Sequence, residues 1–169
     1  MSCLARQAKI SWQEAEENKN NFDEDMLNAK WARWYKCSLC EKDYHGVVRS
    51  ALGYATRSKL HGPRHRATFL SAGNLSDLMV ESHLWDEAKQ LLSEQIPLAL
   101  ETFGPDDDET LRFRWRYALV LQIEEKYTEA VAILEDVARR YRRVFGISHP
   151  MTAKSQGVLE NARERLSNS

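Results

Sequence analysis

Apolar positions recur at helical spacing through most of the chain. Over residues 110–125, Phe113, Tyr117, Val120 and Leu121 fall at helical intervals, and over 128–144 Ala130, Val131, Leu134, Val137, Ala138 and Tyr141 share one face. Lys126 and Tyr127 mark a turn between the two. The same reading predicts helices over 67–80 and 86–102, the second with Pro97 inside it, where a kink is expected. Residues 152–166 predict one more. Upstream, Val47, Val48, Ala51, Leu52 and Tyr54 predict a helix over 43–60, with residues 26–35 as a candidate partner helix.

These blocks repeat. Gly62-Pro63-Arg64-His65-Arg66-Ala67-Thr68, Gly104-Pro105-Asp106-Asp107-Asp108-Glu109-Thr110 and Gly146-Ile147-Ser148-His149-Pro150-Met151-Thr152 open three units, 42 residues apart. The register continues inside them. Glu87-Ala88 matches Glu129-Ala130, Leu92 matches Leu134, Met79 matches Leu121, Phe103 matches Phe145, and Leu75 matches Tyr117 and then Leu159. Such matching fits units built of two antiparallel helices, in which Ala88 and Ala130 let the axes approach and Leu92 and Leu134 fill the gap one turn later. Gly62, Gly104 and Gly146 are expected to close the preceding helix in the left-handed conformation. Thr68, Thr110 and Thr152 are expected at the start of the next. The organisation expected is a polar segment over 1–25, either an exposed helix or disordered, then a degenerate repeat over 26–61. Repeats follow over 62–103 and 104–145. A half repeat over 146–166 caps the array, with Arg163, Glu164 and Arg165 on its polar outer face.

Composition narrows the function classes. With 29% charged and 43% hydrophobic residues, and only 7 Gly and 4 Pro in 169, the chain reads as a soluble helical protein. Its 24 basic and 25 acidic residues leave a net charge of -1, so no global field draws it to nucleic acid or to an anionic membrane. No apolar run approaches the roughly 18 residues of a membrane span, and Met1–Ile10 lacks the apolar core of a secretory signal. Three cysteines, an odd and low count, fit a reducing cytosol or nucleus, and a cytoplasmic location is expected. There is no phosphate-binding Gly loop, Gly-x-Ser-x-Gly or His-Glu-x-x-His, and His61, His65, His83 and His149 are scattered, so no enzyme is expected. The carboxylate run from Asp106 to Glu109 suits the positive end of the following helix.

The motifs resemble the tetratricopeptide repeat (TPR) in the 42-residue form of kinesin light chains. That form has a Gly-Pro-x-His-Pro-x-Thr linker, an Asn-Leu-Ala segment and Gly-Lys-Tyr-x-Glu-Ala; this chain carries Gly146-Ile147-Ser148-His149-Pro150-Met151-Thr152, Asn74-Leu75 and Lys126-Tyr127-Thr128-Glu129-Ala130. The resemblance covers residues 62–166, with Gln95 where a small apolar residue is usual and Glu125 in place of the turn glycine. It implies an all-α fold, a right-handed superhelical array of antiparallel helix pairs with a capping C-terminal helix. It also implies a non-catalytic protein–protein interaction scaffold whose concave face, lined by the first helix of each unit, takes another protein or an extended peptide. The groove positions so implied are Leu70, Asn74 and Asp77 in the first unit and Arg112, Trp115, Arg116, Leu119 and Gln122 in the second. Asn74 falls at the family's peptide-clamping Asn, whose amide offers both a donor and an acceptor to a backbone. From the residues themselves, two readings of Arg112, Arg114 and Arg116 stand. They grip an acidic or aromatic ligand beside Trp115, or they form a solvated face paired with the carboxylates of 106–109. Trp115 fits either core or groove. Unpaired repeat ends allow weak self-association.

Cys37-Ser38-Leu39-Cys40 offers two thiolates at metal-ligand spacing. With His45 the spacing is that of a zinc knuckle, but Ser50 holds the fourth place. Cys3, the aromatics Trp31, Trp34 and Tyr35, the Cys37/Cys40 pair and Tyr44 resemble the tail of a RING-variant (RING-CH) finger, truncated here. That resemblance implies an alternative function, a fragment or relic of a RING-CH-type ubiquitin ligase whose repeats select substrate. Counting ligands favours two structural or surface thiols and no cofactor; if zinc is present, Cys37, Cys40, His45 and Cys3 are the candidates. A redox reading lacks the strand that precedes thioredoxin-type pairs.

Overall fold

The computed structural model describes residues 45–168, and these form six helices with no strand among the described residues. They are α1 (Gly46–His61), α2 (Arg66–Glu81), α3 (Trp85–Phe103), α4 (Asp108–Ile123), α5 (Tyr127–Phe145) and α6 (Pro150–Ser167). Each helix packs on the next, and α2 also touches α4. The fold is all-α: a solenoid-like array in which α2–α3 and α4–α5 are antiparallel pairs, α1 precedes them and α6 packs on α5 after them. The readings of 1–25 and 26–35 lie outside the described residues.

The helix starts follow the 42-residue register, but through residues other than the threonines. His65 Nδ1 accepts from the Ala67 amide at 3.2 Å, an Asp107 carboxylate oxygen from Glu109 at 3.0 Å, and His149 Nδ1 from Met151 at 3.3 Å. These are the N-caps, each satisfying an amide that has no partner inside the helix. The threonines do lie at the helix starts, as expected, but as the buried third residue of each first turn and not as the cap. Thr68 donates its hydroxyl to the carbonyl of Gly62 and Thr152 donates to that of Gly146, both at 2.8 Å, which ties each link to the helix after it.

Helix ends come in two kinds. At the links between units, Gly62, Gly104 and Gly146 have φ of 82–88° with ψ of 163–174°. This is not the left-handed helical region expected from the sequence but an extended region at positive φ that is open essentially to glycine alone. Inside each unit the turn is a Schellman closure. Leu84 donates to the Met79 carbonyl and His83 to Val80; one unit later Lys126 donates to Leu121 and Glu125 to Gln122. His83 and Glu125 therefore hold φ of 60° without being glycine.

Two apolar clusters hold the array together. Phe69, Ala72 and Leu75 of α2 meet Ala88, Leu91, Leu92 and Ala99 of α3, and α4 adds Phe113 and Val120. The other side of α4, with Leu111, Trp115, Ala118 and Leu121, packs with α5 and with Met151, Leu159 and Ala162 of α6. α4 is thus buried on two sides, so its helical stripe is broader than the usual amphipathic face. Helix α3 runs through Pro97 without ending. Gln95, the departure from the usual small apolar residue, is buried and donates to the Tyr54 hydroxyl of α1 at 3.0 Å. On α6, exposed Ala153, Gly157 and Glu160 occupy the register of buried Leu111, Trp115 and Ala118, so this face of α6 carries no large apolar side chain at those three positions.

Candidate functional site

The first helices of the three units, α2, α4 and α6, converge on an open cleft of about 410 Å³. Its walls are Asp77, Val80 and Glu81 from α2, Arg112, Trp115, Arg116 and Leu119 from α4, and Met151 and Lys154 from α6. Five of the positions read from the sequence, Asp77, Arg112, Trp115, Arg116 and Leu119, are brought together here. Leu70 and Asn74 are exposed on α2 but do not line the cleft; Gln122 is half-buried beyond it, with its amide nitrogen unpartnered.

Ion pairs fix the cationic wall. Arg116 is bidentate to Asp77, at 2.7 and 2.9 Å, and so joins α4 to α2. Its guanidinium lies over Gly73, where an added Cβ would come within 3.1 Å of it. Gly73 and Trp115 hold the same place in their units, so the absence of a side chain in the first makes room for the arginine of the second. Arg112 is held by Asp108 at 2.7 Å. Arg114 does not join the wall: it pairs with Asp136 of α5 at 2.7 Å. The carboxylate run is shared out, Asp106 to Arg140 and Arg143, Asp107 to Arg66, and Asp108 to Arg112 and the Tyr141 hydroxyl. Glu109 is buried; that burial raises its carboxyl above the usual range, against the pull of Arg116 and Arg112.

Trp115 is both core and wall. It is 8% exposed, packs in the second cluster, and has the Lys154 ammonium 4.5 Å from its ring centroid. The sequence reading missed Met151 and Lys154. Lys154 falls 42 residues after Arg112, so carrying the groove positions into the third unit would have found it. The cleft is polarised, with Asp77 and Glu81 on the α2 rim and Arg112, Arg116 and Lys154 on the α4–α6 side. Of the zinc candidates, Cys3, Cys37 and Cys40 lie outside the described residues; His45 is exposed just before α1. Among the described residues no three His, Cys, Asp or Glu side chains gather as a metal site, and no helix is long and apolar enough to cross a membrane.

A family model described as the CATSPERZ C-terminal helical domain matches residues 123–169, a stretch that takes in α5 and α6 and falls well short of half the chain. No curated protein matches the chain. Among solved structures, it is similar to the crystal structure of a Podosopora anserina protein described as a kinesin light chain with nearly identical TPR-like repeats. The identity is 17% and the TM-score 0.66, over 99% of this chain and 69% of that one. At that identity the likeness speaks to the fold alone, and the fold is a TPR-like helical array.

Proposed function

We propose that the protein is a non-catalytic scaffold that holds an extended segment of a partner protein against the cleft between α2, α4 and α6. The observation that carries this reading is the convergence of all three first helices on one open cleft that mixes apolar with charged walls. Leu119, Met151 and the edge of Trp115 offer apolar contact, while Arg112 and Arg116 are already held by Asp108 and Asp77. Side chains immobilised before binding lose little further entropy when a segment docks. Asn74, exposed one turn along α2 from Asp77, extends this surface with an amide able to donate to and accept from a peptide backbone.

Photocrosslinking tests the reading. A photoreactive residue placed at Leu119 should give discrete protein adducts from cell extract, whereas one at exposed Leu100 of α3 should not. The adducts at 119 should weaken in the Asn74→Ala, Arg116→Ala variant. Equal capture at both positions would sink the cleft as the binding surface.

A further inference from the structure

Four of the five residues from 139 to 143 are arginine, on the last turns of α5. The side chains of Arg139 and Arg143 are 75% and 63% exposed, and Arg142 is exposed beside them. Among the described residues, two carboxylates serve this group. Asp136 takes Arg114, Arg139 and Arg140, and Asp106 takes Arg140 and Arg143. Two neighbouring aspartates are engaged by other arginines, Asp107 by Arg66 and Asp108 by Arg112. The end of α5 therefore keeps a surplus of positive charge, although the whole chain is close to neutral. Large apolar side chains follow at once: Val144 is 45% exposed, Phe145 36%, and Ile147, in the link to α6, 72%. The equivalent place in the two earlier links is held by Pro63 and Pro105.

We infer that this basic and apolar ledge docks the protein on an anionic lipid bilayer. Ile147, in the link just past the helix end, enters the boundary between headgroups and acyl chains, and Arg139, Arg142 and Arg143, which share one side of α5, lie among the headgroup phosphates. The pairing of the two chemistries decides the partner. A nucleic acid would satisfy the arginines and leave Ile147 in water, whereas a bilayer takes both. Guanidinium suits this place because its planar fork bonds phosphate oxygens in pairs and is more weakly hydrated than an ammonium. The cleft residues take no part, so this inference and the peptide-binding reading stand or fall separately.

Sedimentation of the full chain with phosphatidylcholine vesicles, with and without phosphatidylserine, tests it. Binding should be at least about tenfold tighter with phosphatidylserine and should weaken as salt is raised. Arg142→Glu combined with Ile147→Asp changes two exposed side chains and should lose at least about tenfold in affinity while circular dichroism is unchanged. Arg142→Lys with Ile147→Leu should retain binding. No binding to either vesicle, equal binding to both, or wild-type binding by the first variant overturns the inference. So does tight binding of an oligonucleotide by a protein that ignores the vesicles.

Discussion

At single residues, backbone conformation explains both the strictest repeat in this sequence and one of its irregularities. Gly104 has a φ of 87° with ψ of 174°, and nothing lies within 4 Å of where a Cβ would stand. Gly104→Ala should therefore cost about 1–3 kcal/mol in urea unfolding through conformation alone, with no clash to relieve. Glu125 is the opposite case, a side chain at φ 60° where the Schellman closure favours glycine. Glu125→Gly should relieve about 1–2 kcal/mol of strain, less about 0.4–1 for the freer unfolded chain, and raise the urea midpoint. Glu109 gives a pH signature. Because burial raises its folded pKa, its contribution to stability is fully present below the unfolded carboxyl value, near about pH 4.3, and is lost as pH rises through the folded value. Glu109→Gln should then match the wild type near about pH 4 and exceed it in thermal midpoint at about pH 7. A thermal midpoint that falls at neutral pH would mean that the attraction of Arg116 and Arg112 outweighs burial.

Among elements, the 42-residue register preserves geometry more faithfully than residue identity. Arg64 in the first link pairs with Glu101 of α3 at 2.7 Å; one unit on, Asp106 pairs with Arg143 of α5 at 2.7 Å, the same bridge with its charges exchanged. Comparison by residue type misses this bridge, since the place demands only opposite charges. The N-caps behave alike: His65, Asp107 and His149 do one job with different acceptors. On α5, Asp136 ties Arg114 of α4 to Arg139 and Arg140. Burial by itself would raise this carboxyl, but hydrogen bonds from Arg140, Arg114 and Arg139 outweigh it and hold it well below the usual range. The sign is therefore opposite to that of Glu109. Its stabilisation is present above the unfolded value, about pH 3.9, and disappears as pH falls through the folded one. Asp136→Asn should cost about 1–2 kcal/mol at neutral pH, a deficit that shrinks on acidification in a urea–pH series.

For the whole molecule, the lone helix α6 is both cap and working part. It buries Met151 and Leu159 against α4 and α5 and supplies Lys154 to the cleft. Ending the chain at Gly146 removes roughly 3–6 kcal/mol of burial from those two side chains alone. It should lower the thermal midpoint sharply and abolish crosslinking at Leu119. A truncated chain as stable as the full one would show that α4 and α5 do not depend on the cap. The sequence by itself determined the helices, their pairing and the register, because short-range periodicity, obligatory glycines and the match of small to small and large to large are local demands written at a fixed interval. It placed Asp77, Arg112, Trp115, Arg116 and Leu119 on the right helices. Only the tertiary structure decided that Trp115 is at once core and wall, that Arg114 turns to α5 while Arg116 crosses to Asp77, and that Lys154 joins them. The reason is that a helical residue's face is fixed by its position, whereas its partner depends on which neighbouring helix presents a complementary charge or an empty Gly73 within reach.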